Sequence, residues 1–165
     1  MMVNLKPYLI CTLLISSLGF CWTCKSNIQS VPAVPELSNY DSLLAAKLGA
    51  DDYGMKQYVM AFLKAGPNRS TDSLTSANLQ SAHLENISRL AEEGKLVLAG
   101  PFLHDGPLRG IYVFDVTSVE EAETLTSTDP AIEAGSLVME LIPWYGSAGL
   151  MKVNEIHEQV AKINF

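Results

Sequence analysis

The sequence predicts an α+β fold of the ferredoxin-like type, a four-stranded antiparallel sheet with two helices on one face. Two observations carry that expectation. Short runs of branched and aromatic residues alternate with longer helical patterns in the order β-α-β-β-α-β. Glycine and proline pairs punctuate most of the boundaries. A third observation concerns packing. In the run Ile111-Tyr-Val-Phe-Asp-Val116, Ile111 and Val113 point one way and Tyr112, Phe114 and Val116 the other, so both faces of that strand are apolar. Two helices cover one face only. The bare face is expected to pack on a second copy or on added elements, because soluble monomers avoid large exposed apolar patches.

The elements follow in order. Ser38-Asn39-Tyr40-Asp41 can cap a short helix through Leu43, Leu44 and Leu48, with Gly49 as its stop. Gln57-Tyr-Val-Met-Ala-Phe-Leu63 reads as the first strand, broken by Gly66-Pro67-Asn68. A helical pattern then runs from Ser73 to Glu93 and ends at Gly94. Lys95-Leu-Val-Leu-Ala99 is the second strand, stopped at Gly100-Pro101, and Gly110–Val116 is the third. Ser118-Val-Glu-Glu121 has the spacing of a capping box, with Ser118 and Glu121 satisfying each other's free amides. Asp129-Pro130 ends or kinks the helix it opens. Leu137–Ile142 is the fourth strand, closed by Pro143, and an amphipathic helix spans about Met151 to Ile163.

Ahead of the fold lies a leader. Lys6 is the sole charge before Lys25, and the stretch between them is apolar, the pattern of a secretory signal. Ser17 and Gly19 place small residues for cleavage after Gly19. Leu18-Gly19-Phe20-Cys21 is a second option, lipidation at Cys21, although Phe20 stands where a lipobox has a small residue. An uncleaved anchor is the third, since Pro7 to Cys24 falls just short of the ~20 residues that span a bilayer. Each option puts the domain outside the cytoplasm, in the periplasm or cell envelope, touching membrane only through its N-terminal segment. Ser26 to Pro35, with prolines at 32 and 35, reads as a linker.

Composition narrows the partners. The chain has 165 residues, 11 basic against 18 acidic, for a formal net charge of −7. It has no run of Lys or Arg, which excludes nucleic acid as a partner. Its 3 cysteines all precede Lys25, so the fold is expected to use no disulfide, thiolate nucleophile or Cys-based zinc site. There is no HExxH pair, G-x-S-x-G elbow or phosphate loop. No cofactor and no metal are expected.

On a helical wheel Leu79, Ile87, Leu90 and Ala91 form one apolar face with His83 near its middle, so the imidazole is expected to point at the sheet. Gln80 lies on the same side. A buried ring needs partners, and histidine both takes and gives a proton near neutrality. Asp129 offers two readings, a turn-starting carboxylate or the group that orients His83 as the acid of a triad does. Phe102, Tyr112, Phe114, Trp144 and Tyr145 are aromatic residues that could line a pocket at the strand ends or simply be core. His104 lies in the loop between the middle strands, and His157 on the terminal helix is expected to be exposed.

His83-Leu84, Gly94-Lys-Leu-Val-Leu-Ala99-Gly100-Pro101, Asp129-Pro130-Ala-Ile-Glu-Ala134-Gly135 and Pro143-Trp144, in that order, resemble the YCII-related family from roughly Met55 to Gly146. The resemblance implies a dimeric α/β-barrel in which two ferredoxin-like units join their sheets. It also implies an active site built on a histidine of the first long helix and an aspartate in the Asp-Pro turn, carried here onto His83 and Asp129. Similar proteins include a dehydrochlorinase acting on a chlorinated aromatic ring, and the wider fold includes muconolactone isomerases and monooxygenases.

The chain thus divides into a leader (1–24), a linker with a short helix (25–54), the YCII-related domain (55–146) and a helical extension (147–165). The expected function is that of an exported, cofactor-independent acid/base enzyme, of isomerase or lyase type, on a small organic acid. His83 and Asp129 are its catalytic pair, and Gln80, Phe102 and Trp144 contact the ligand. Its expected partner is a second copy, through the bare sheet face. The alternative is a non-catalytic module of the cell envelope, ligand-binding or structural.

Overall fold

The computed structural model describes residues 39–163. The leader, Cys21 and the linker up to residue 38 lie outside that range.

Helix α1 (Ser42–Leu48) begins where expected. The Asp41 carboxylate accepts from the N–H groups of Leu43 and Leu44 at 3.0 and 2.9 Å, satisfying donors that a first turn leaves open. Strands β1 (Met55–Ala65), β2 (Leu96–Pro101), β3 (Leu108–Phe114) and β4 (Leu137–Ser147) form one sheet in the order β2-β3-β1-β4. All neighbours are antiparallel. With α2 (Ser73–Glu92) after β1 and α3 (Val119–Thr126) after β3, this is the ferredoxin-like α+β arrangement. A short helix α4 (Pro130–Glu133) follows α3, and a 3-10 turn (Ala148–Lys152) and α5 (Val153–Val160) follow β4.

The main differences from the sequence pattern lie at the element ends. β4 runs through Pro143 to Ser147, with Pro143 opposite Val59. It can do so because β4 is an edge strand, where a missing N–H donor is tolerated. Ser118 caps α3 by accepting from the Glu121 N–H at 3.1 Å, but the Glu121 carboxylate meets Lys95 Nζ at 3.2 Å. Half of the expected capping box is therefore realised. The terminal helix is shorter than the amphipathic pattern, which begins in the 3-10 turn.

The two faces of the sheet carry separate cores. Val59, Ala61 and Leu63 of β1, Leu96 of β2 and Tyr112 and Phe114 of β3 face the helices, where they meet Leu90 and Ala122. Burying a side chain such as Leu90 or Phe114 stabilises by roughly 1.5–3 kcal/mol each. On the other face Tyr58, Val97 and Val113 are covered by Trp144 and by Leu150 and Met151 of the 3-10 turn. The C-terminal extension therefore supplies part of the cover that the apolar second face requires. The remainder of that face leaves Val138 and Ile142 exposed.

One close contact fixes the loop after β1. The Gly66 N–H donates to Ser136 O at 2.9 Å and the Asn68 N–H to Gly135 O at 3.0 Å. A Cβ at Gly66 would lie 2.2 Å from the Gly135 carbonyl oxygen, a backbone atom with no freedom to yield. Gly66→Ala is therefore expected to lower stability by about 1–3 kcal/mol, the usual cost of overpacking, measured by urea unfolding. An unchanged midpoint would show that the loop is not held this way.

Candidate functional site

The site begins with one polar ring on an apolar helix face. His83 is 8% exposed, and α2 turns it toward the sheet between Leu79 and Ile87. The turn after α3 brings Asp129 to it. Asp129 is 0% exposed, and its Oδ2 lies 2.7 Å from His83 Nδ1. Its Oδ1 accepts from the Ala131 N–H at 2.9 Å, so the same carboxylate caps α4. A second polar cluster clamps this turn to α2: Arg89 donates to Asn86 Oδ1 and to the Thr128 hydroxyl at 2.8 Å each, and the single Thr128 hydroxyl hydrogen is shared between the Leu125 carbonyl at 2.7 Å and Asn86 Oδ1 at 3.0 Å.

The other ring nitrogen is also engaged. Tyr112 Oη lies 3.2 Å from His83 Nε2. An ionised Asp129 only accepts, so Nδ1 carries the hydrogen and the neutral ring presents a lone pair at Nε2 to the tyrosine hydroxyl. Burial pushes the Tyr112 phenol far above its ordinary value, and the nearby negative charge of Asp129 pushes the same way. The phenol therefore stays protonated and donates.

The imidazole opens on a cavity of about 330 Å³. Its walls are α2, the strand positions Leu63, Ala99–Pro101, Arg109, Gly110 and Tyr112, the α4–β4 turn, and the loop carrying Arg69. At Gly110 a Cβ would stand 2.6 Å from Gly100 O, so a side chain there would collide with β2. Gln80 lines the cavity with His83 although its residue is largely exposed.

Two residues expected at the pocket are elsewhere. Phe102 is 37% exposed, just past the end of β2, with its ring 5.9 Å from that of His104. It is not among the cavity walls. Trp144 lies on the opposite face of the sheet, because β4 pairs it with Tyr58, and their rings stand 5.9 Å apart. Conversely, Arg69 and Arg109 line the cavity and nothing in their sequence context announced them. Tyr112 had a usable signal. It faces the helix layer, where its hydroxyl needs a polar partner, and His83 is the polar residue on the facing helix. Among the described residues no group of three or more His, Cys, Asp or Glu could hold a metal.

The profile of the YCII-related domain matches residues 58–145, more than half of the chain. The chain belongs to the YCII-related family. A curated relative, the uncharacterised protein YjpA of Bacillus subtilis (strain 168), is 33% identical over 64 residues, which span 39% of this chain and 73% of YjpA. Among solved structures, the 5-chloro-2-hydroxyhydroquinone dehydrochlorinase of Burkholderia phenoliruptrix AC1100, in complex with 2,5-dihydroxybenzoquinone, is similar at 18% identity with a TM-score of 0.41. The match covers 54% of this chain and 93% of the dehydrochlorinase. At that level of similarity no chemistry is carried across.

The raised Tyr112 value has a sign that can be measured. A phenol that holds its proton more tightly when folded contributes stability fully present below its unfolded value near 10, and this contribution is lost as pH rises further. Stability is expected to fall as pH climbs above about 10, with a shallower fall in Tyr112→Phe. Urea unfolding between neutral and strongly alkaline pH checks this. Equal slopes in both proteins would remove Tyr112 as the cause.

Proposed function

We propose that this member of the YCII-related family performs cofactor-independent acid/base chemistry of the isomerase or lyase type on a small organic acid, with His83 as the proton carrier. The observation that supports it most is the His83–Asp129 contact of 2.7 Å, fully buried on the carboxylate side and open to a cavity on the ring side. Nε2 takes a proton from a carbon acid, and the substrate's electron pair shifts into a new double bond. The proton returns at another carbon in an isomerisation. In an elimination a leaving group departs and the proton passes to solvent. Asp129 holds the ring and stabilises the imidazolium formed in between. Tyr112 yields Nε2 as the substrate enters, and its hydroxyl is placed to accept from the charged ring afterwards.

One observation favours a second reading. Both ring nitrogens of His83 are already satisfied inside the protein, as they would be in a module that binds a small molecule without converting it. The same proposal places the domain outside the cytoplasm, on the strength of its apolar N-terminal stretch. It also places the domain in a homodimer through the uncovered part of the second sheet face.

Exchange of solvent deuterium into carbon acids separates enzyme from binder. With phenylpyruvate and vinylacetate as probes, followed by NMR, the full chain is expected to accelerate exchange. His83→Asn should abolish the acceleration and Asp129→Asn, which keeps the α4 cap, should reduce it about 10²-fold or more. Acceleration that survives His83→Asn would overturn the proton-carrier role. No acceleration with any carbon acid that binds would leave the binding module as the better account.

A further inference from the structure

The chain is acidic, with 18 acidic residues against 11 basic, yet the cavity is not. Arg69 and Arg109 line it, and no Asp or Glu does. The remaining arginine, Arg89, is consumed by Glu93, Asn86 and Thr128. Among the described residues no carboxylate pairs with Arg69 or Arg109, and Arg109 makes one long bond, 3.5 Å to the Gly106 carbonyl. Most of its donors remain free for a guest.

The backbone is bent to put Arg109 there. β1 pairs Leu63 with Gly110 and Lys64 with Leu108, so Arg109 is the extra residue of a bulge. By strict alternation, residue 109 would face away from the side that Tyr112 occupies. A bulge re-aims one side chain, and such features gather next to active sites. The loop bearing Arg69 is tied to the α4–β4 turn by the Gly66 and Asn68 backbone bonds. Leu79, Leu84, Ile87 and Leu137 make a mostly leucine, apolar part of the cavity wall.

We propose that Arg69 and Arg109 seat the carboxylate of a small aromatic or unsaturated acid, whose carbon skeleton lies on the leucine wall beside His83. The proposal rests on the reading of this cavity as a substrate site and names the class of substrate. Planar guanidinium groups match a carboxylate bidentately. The pocket's low-dielectric walls strengthen the attraction, and its volume of about 330 Å³ suits a single ring.

The test is calorimetric titration of the full chain with benzoate, its uncharged isostere benzamide, and inorganic phosphate. Benzoate should bind at least about tenfold more tightly than benzamide. Arg69→Gln and Arg109→Gln should each erase most of that preference and leave benzamide affinity in place. Arg109→Lys, which keeps the charge without the fork, should retain part of it. Lys95→Gln, which removes a charge paired with Glu121, should leave the preference intact. Melting temperatures of the variants exclude misfolding as the cause. Equal binding of benzoate and benzamide, binding of neither, tighter binding of phosphate, or a preference that survives both arginine substitutions would overturn the assignment. Benzoate has no carbon acid to deprotonate, so this result stands or falls independently of whether His83 turns anything over.

Discussion

A carboxylate with no exposed surface must find hydrogen bonds or remain uncharged, and Asp129 finds them on both oxygens. One oxygen starts α4 and the other holds the His83 ring. That single group therefore ties the turn between the third helix and the fourth strand to the long helix α2. The Arg89–Asn86–Thr128 cluster binds the same two segments from the side. Between them the cavity acquires a fixed back wall, and the imidazole acquires one defined tautomer. The chemistry proposed for the site requires no separate scaffold, because the interactions that aim the ring also close the packing of α2 on α4.

Much of the fold was legible because its signals are local. Asp41 and Ser118 sit where caps are expected, and alternation in β3 divided Tyr112 and Phe114 from Val113 correctly. The ends of the strands were not legible. Pro143 is a strand breaker in most settings, and its tolerance in β4 depends on that strand having a neighbour on one side only. Which strand lies at an edge is a property of the whole sheet.

The site divides along the same line. A helical wheel is enough to place His83 on the side of α2 that faces the sheet. The meeting of His83 with Asp129 spans 46 residues, so it followed from family resemblance and not from any periodicity. Trp144 was misplaced because its face is set by pairing with Tyr58, a register that neither strand reveals alone. Arg109 was missed for a related reason. Its direction depends on a bulge, and a bulge exists only between two paired strands.

The 3-10 turn after β4 covers one end of the second sheet face, over Tyr58, Val97 and Val113. That coverage limits the symmetry available to a pair of subunits. Two identical copies stacked sheet to sheet must present the same patch to each other across a two-fold axis. The covered end is already filled by Leu150 and Met151 of the same chain. A pair of the kind proposed above would have to meet over the part of the face that stays open, where Val138 and Ile142 are exposed. An appendage that shields apolar surface within one chain thereby narrows the surface left for a second copy.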